Sequence, residues 1–460
     1  MRFFVLMVMV LGIFGTDAVR ACGVSPLERQ AMLAVRDDAG KAQEALKKLR
    51  EAGPDGLEAM QEIFFGEIEE HRAGRGELNS RWDRIRTAMD AVAQQRDAWA
   101  SGLYWYTDLD KAQAMAKARG LPILSLRMLG NLSEEYSCAN SRFFRTTLYS
   151  NAEVSEFLRQ HYILHWQSVR PVPVITVDMG DGRKLRRTIT GNSIHYILAA
   201  DGRVVDALPG LYGPAAFLRG LKGAESIAKI AMDPKADLNV LLPTYHTQSA
   251  ETLALQWTAD LNKAGVATVS AAGDPALKDV AAGAYGAKRL AAGPNGAAPP
   301  AMRAMRAAVG KSMVERPLLM AAFPADVLEK VTDDAVWERI GALHAADSRL
   351  DAVSKALIQS KNPQTAEAAL ASVTHYGAES TVADAMRGFE KSAAVDTVKN
   401  EYRFHLKIHQ WLAGEFKAMP LNELNEKVYA ELFLTPSSDP WLGLAPAGVF
   451  TALDGEGISK

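Results

Sequence analysis

The chain has 460 residues, 48% of them hydrophobic, and a formal net charge of −2. That length exceeds what a single core usually serves, so more than one packed domain is expected, and the near-neutral charge offers no broad basic surface for nucleic acid or anionic lipid. With only two cysteines, a disulfide framework is excluded as the source of stability.

The first segment reads as an export signal. Arg2 precedes the apolar run FFVLMVMVLGIF, from Phe3 to Phe14, and GTDAVRAC follows; an apolar run of about a dozen residues is too short to span a bilayer as a helix. Val19 and Ala21 fit a small-x-small cleavage pattern. Residues 1–21 are therefore expected to be a signal peptide, and the mature protein to be exported, periplasmic or associated with the cell envelope. VRAC also resembles the bacterial lipobox, although Arg20 stands where a small residue is usual. The resemblance makes Cys22 a candidate lipidation site and implies membrane attachment only through an N-terminal lipid; an unmodified cysteine beside an ordinary cleavage site is the alternative.

Residues 22–100 read as an N-terminal helical domain. Apolar residues recur every three or four positions in LERQAMLAVRDDAGKAQEALKKLREAG, which stops at Gly53-Pro54, and in DGLEAMQEIFFGEIEEHRAG, for which Asp55 is a candidate cap. A third helical run spans about Leu78 to Trp99. Helix, Gly-Pro-Asp-Gly turn, helix is how a HEAT-type repeat opens, but one pair is not an array.

The pattern changes at GLYWYTDLDKAQAMAKARGLPILSLRMLG. Thr107 or Asp108 can cap a helix that Gly120 ends after Arg119, and LPILSLRML has strand length. After Cys138-Ala139-Asn140-Ser141 a helical stretch continues to about Gln160, with a break near Ser150-Asn151, and YILHWQSV is the next strand. SIHYILAADGRVVDAL is a hairpin through Asp201-Gly202, and GPAAFLRGLKG is a closing helix. Helix, strand, helix, strand, hairpin, helix makes a compact α/β unit over residues 101–223.

That order resembles the thioredoxin superfamily, particularly its exported members, over about residues 102–223. The likeness rests on the cysteine just after the strand Leu121 to Leu129, on SNAEVSEFLRQHYILHW entering the next strand, and on the ADG hairpin. It implies a thioredoxin-like domain between two helical ones, a disulfide-exchange site, protein or peptide thiols and disulfides as partners, and no cofactor. Cys138 takes the position of the nucleophilic cysteine, and Ser141 stands where the family has its resolving cysteine. Ser193, preceded by Asn192, replaces the cis-proline that borders the substrate strand. Relative to a minimal thioredoxin, Gln167 to Ser193 is an insertion whose MGDGRKL segment reads as a hairpin turn. Its Arg183, Lys184, Arg186 and Arg187 are expected on a solvated strand face, with an acidic partner as the alternative.

If Cys138 opens a helix, unpaired N–H groups and the positive end of the helix dipole stabilise its thiolate. Arg142, one turn on, adds positive charge, and the Ser141 hydroxyl can donate to the sulfur. The expected thiol pKa is then below the roughly 8.5 of a free cysteine. A single thiolate can form a mixed disulfide, but its release needs an external thiol. Cys138, Ser141 and Arg142 are thus the candidate catalytic residues, and Asn192 and Ser193 the candidate substrate-binding pair. The alternative is a redox-inactive thioredoxin-fold interaction module with Cys138 as a small buried hydrophobe. His165 and His195 fall on neighbouring predicted strands, either near Cys138 or as ordinary structural histidines.

Residues 224–460 read as a mostly helical domain, with AAGPNGAAPP, from Ala291 to Pro300, as a linker or exposed loop. EYRFHLKIHQW sets Glu401, His405 and His409 on one helix face, where two histidines can share a metal ion. Leu406 follows His405 where the zinc-protease signature has glutamate, so an amphipathic face is the reading adopted and no metal site is assigned. The tail is broken by Pro436, Pro440 and Pro446. It offers Trp441, Leu442 and Leu444 as anchors onto the body, or as a surface for a partner. No oligomeric state follows from the sequence.

Overall fold

A computed structural model describes residues 24–188, 191–233, 235–265, 334–361, 382–414 and 419–442. The expected signal peptide, Cys22, the Ala291–Pro300 segment, Leu444 and Pro446 lie outside the described residues. Among the described residues no helix is long and apolar enough to cross a membrane.

The N-terminal helices begin where side chains satisfy the free amides of the first turn. Ser25 and Glu28 form a reciprocal capping box on α1 (Pro26–Ala34), and Asp38 caps α2 (Ala39–Glu51). At Gly53, φ is 73°, a backbone state open to glycine, and Pro54 then opens α3 (Pro54–Ile63), so Asp55 lies in the first turn and not at the cap. After α4 (Phe65–Arg72), Asn79 caps α5 (Ser80–Ala93). The third expected run divides here, because Gln94 and Asp97 take φ of 55° and 62°, and α6 (Ala98–Ser101) follows. Leu49, Met60, Trp82, Val92 and Trp99 share a core to which Leu357, far along the chain, contributes.

Asp108 caps α7 (Leu109–Arg119), and Gly120, at φ 63°, ends it. A four-stranded mixed sheet follows, built from β1 (Ile123–Leu129), β2 (Ile163–Arg170), β5 (Ser193–Leu198) and β6 (Val204–Pro209), in the order β2-β1-β5-β6. β1 is parallel to β2 and antiparallel to β5, and β5 is antiparallel to β6. Between β1 and β2 run α8 (Ala139–Phe143), which continues as a π turn over Phe144–Leu148, and α9 (Ala152–His161). The insertion forms a separate hairpin of β3 (Val174–Asp178) and β4 (Lys184–Thr188). Its cations are engaged locally. Arg183 pairs with Asp181 and Lys184 with Asp178, while Arg186 lies over the Tyr136 ring.

Side chains alternate along a strand, so His195 and Tyr196 face opposite sides of β5. The His195 ring centroid is 4.7 Å from Phe144 and 4.9 Å from Phe217 on α10 (Pro214–Ala231). Tyr196 instead reaches Asn425 Oδ1 at 3.4 Å. The sheet is therefore a middle layer, with the π turn after α8 and α10 on one side and the chain around Asn425 on the other.

The remaining described helices are α11 (Leu238–Lys263), α12 (Asp334–Leu343), α13 (Ala352–Lys361), α14 (Val382–Lys399), α15 (Leu406–Ala413) and α16 (Leu421–Lys427), with a short 3-10 turn, Ala345–Ser348, after α12. A π turn, Asn400–His405, leads into α15, and another, Val428–Leu432, follows α16. The expected boundary after residue 223 falls inside α10. Ile408, Trp411, Leu424, Tyr429 and Phe433 lie in the same core as the sheet residues Leu126 and Ile197. Leu442 is buried there, and the neighbouring Trp441 is exposed.

Candidate functional site

Cys138 lies beyond the C-terminal end of β1, tied to it by its amide donating to Leu129 O at 3.3 Å. It is the N-cap of α8, as the sequence suggests, and the Ser141 amide approaches its sulfur at 3.5 Å. The thiol is nevertheless fully enclosed, with 0% exposure, in the core cluster that also holds Tyr149 and Tyr429. Burial pushes the Cys138 thiol up, against the opposing pull of Ser141, the Leu129 amide and Arg142. That is the reverse of the expected depression. A five-residue helix turn and one cation bonded to Thr188 do not replace the water a thiolate loses.

The other expected site residues are engaged within the protein. The Ser141 hydroxyl donates to Cys138 O at 2.9 Å, and Arg142 donates to Thr188 Oγ1 at 2.9 Å. Asn140 Nδ2 donates to Ser193 Oγ at 2.9 Å, across the strand edge where a substrate backbone was expected. Asn192 Nδ2 donates to Thr435 Oγ1 at 2.9 Å, and Tyr429 OH donates to Asn192 O at 3.1 Å. Arg170 donates to the carbonyls of Thr435, Pro436 and Asp439, fastening the C-terminal segment beside this edge. No cis peptide bond occurs among the described residues. The structure thus gathers Cys138, Ser141 and Ser193 into one buried region that the chain itself closes.

The strand histidines do not join the thiol. His165 Nδ1 pairs with Ser125 Oγ at 2.8 Å and His195 Nε2 with Tyr149 OH at 2.6 Å. Burial lowers each imidazole pKa to about 3, so both are neutral structural groups. Just ahead of Cys138, residues 130, 131 and 133–136 line an open cleft of 630 Å³ together with Arg96, Ser168, Pro171, Val172, Val174 and Arg186.

A second cluster lies at β6, an edge strand of the sheet. Asp206 Oδ1 is 3.2 Å from His405 Nε2 and 3.9 Å from His409 Nδ1. Asp206 Oδ2 accepts from Tyr245 OH at 2.6 Å, and Oδ1 accepts from the Ala207 amide at 2.7 Å. His246 Nδ1 is 2.8 Å from His409 Nδ1. Burial alone would raise the Asp206 carboxyl, but His409, His405 and His246 hold it well below the usual carboxylate range. Burial lowers His409 and His246. Glu401, grouped with these histidines in the sequence, does not join them; burial raises its carboxyl, with Arg219 opposing. Sequence reasoning missed Asp206, Tyr245 and His246. The available signal was a lone carboxylate in the apolar strand VVDALP, which must find polar partners if buried.

Comparison with protein-family models, curated proteins and solved structures finds no match for this chain.

Proposed function

We propose that this is an exported thioredoxin-like protein that binds a protein or peptide partner and carries out no disulfide exchange. The strand order β2-β1-β5-β6, with a cysteine after β1 and a helix after β6, supports the thioredoxin-like reading. Arg2 and the apolar run behind it support export. The observation that carries the functional reading is the enclosed Cys138 sulfur, with Ser141 in place of a second thiol and Asn140 on Ser193 at the docking edge. Attack on a disulfide requires an accessible thiolate and, for turnover, a second thiol to resolve the adduct. Partner recognition then falls to open surface, and the cleft beside residues 130–136 presents carboxylates, guanidinium groups and Tyr136 to a peptide.

Restoring the second cysteine tests this directly. The Ser141→Cys variant is expected to show no insulin reductase activity, because residue 141 is as enclosed as residue 138. Reductase activity well above that of the parent protein would overturn the reading in favour of a masked exchange centre.

A further inference from the structure

We infer that Asp206, His246, His405 and His409 form a closed binding site for a divalent transition-metal ion of the zinc class. The four ligands come from β6, from α11 and from the junction of the second π turn with α15. In a tetrahedral zinc site with bonds near 2.0–2.1 Å, ligand atoms stand about 3.3 Å apart. Here the contacts are 3.2 Å for Asp206 to His405, 3.9 Å for Asp206 to His409 and 2.8 Å for His246 to His409. One ligand atom from each of Asp206, His405 and His409 lies within 4.8 Å of the others. Shifts of about half an ångström bring these three to coordinating distance, and His246, which lies beside His409 but outside that group of three, completes the set by a larger movement.

Chemistry narrows the ion. Three imidazoles and one carboxylate suit zinc and its neighbours, whereas calcium and magnesium favour oxygen donors throughout. The Asp206 carboxylate is buried, and among the described residues no lysine or arginine pairs with it; a dication supplies the balancing charge. Tyr245 OH and the Ala207 amide orient the carboxylate, the role that outer hydrogen bonds play around bound metals. In the paired His246 and His409, one Nδ1 holds a proton that metal entry displaces to solvent. All four side chains are enclosed, at most 8% exposed, so the site leaves no open position for substrate. Its role is to fasten an edge strand of the sheet to α11 and α15.

The full mature chain, stripped with chelator and titrated with cobalt(II) chloride, provides the test. One equivalent is expected to give the visible absorption of tetrahedral cobalt without a thiolate charge-transfer band, and zinc chloride should bleach the colour and raise the melting temperature. The double variant His405→Gln, His409→Gln should lose the absorption while keeping its far-ultraviolet circular dichroism. Absence of saturable binding, a thiolate band, or absorption retained in the folded double variant would overturn the proposal. If those substitutions unfold the chain, zinc-edge X-ray absorption on the unsubstituted protein decides. Four nitrogen and oxygen neighbours with imidazole scattering support the site, and sulfur neighbours or an all-oxygen shell refute it.

Discussion

A histidine at the surface shows how local charge sets stability in this molecule. His344 Nε2 is 2.6 Å from Asp260 Oδ2, and its Nδ1 is 3.5 Å from Asp347 Oδ2. The hydrogen bond to Asp347, opposed by partial burial and helped by Asp260, raises its pKa to about 8. The unfolded value is about 6.5, so the stabilisation is complete below that pH and is lost as pH rises through the folded value. With a partly exposed ring the contribution is about 1 kcal/mol. Urea midpoints measured near pH 6 and near pH 9 should therefore converge when His344→Gln is introduced, relative to the parent; an identical pH dependence in both contradicts this pairing. At Cys138 the balance is reversed, because burial outweighs the groups that favour its thiolate.

At the scale of elements, α10 shows where the chain can accept a methyl group and where it cannot. Gly213 precedes α10 with φ −67°, which any residue adopts, but a Cβ there would sit 2.3 Å from Asp347 O and 2.4 Å from Ser348 Oγ. Gly213→Ala is expected to cost about 1–3 kcal/mol by overpacking, read as a lower urea midpoint at unchanged slope. Gly223, within the same helix, has nothing within 4 Å of the same position. Gly223→Ala should stabilise by about 0.5–1 kcal/mol through helix propensity, and equal effects at the two glycines would contradict the packing described. Elements governed by neighbouring residues were legible in the sequence: the Asp108 cap, the Gly120 stop, the β1 run and the Asp201-Gly202 hairpin. The surroundings of the candidate sites were not. Cys138 shares its core with Tyr429, and Asp206 meets His405, almost two hundred residues along the chain, and no local period encodes proximity across such separations.

Across the whole molecule, the C-terminal helices complete the core of the sheet, and through Tyr429 and Thr435 they close the region where an exchange centre would open. Tyr429→Ala removes a large enclosed ring from the core that holds Cys138 and is expected to cost about 3–5 kcal/mol and to speed alkylation of Cys138 in the folded state; a stable variant whose thiol stays inert would contradict the closure described. The central claim is that Cys138 is a core residue. It is tested most directly by iodoacetamide kinetics against pH on native and urea-unfolded protein, with Cys22→Ser introduced so that one thiol reports. Native Cys138 is expected to react more slowly than the unfolded control at every pH at which the fold persists. A native rate equal to or above the unfolded rate at neutral pH would contradict the account and restore disulfide exchange as the function.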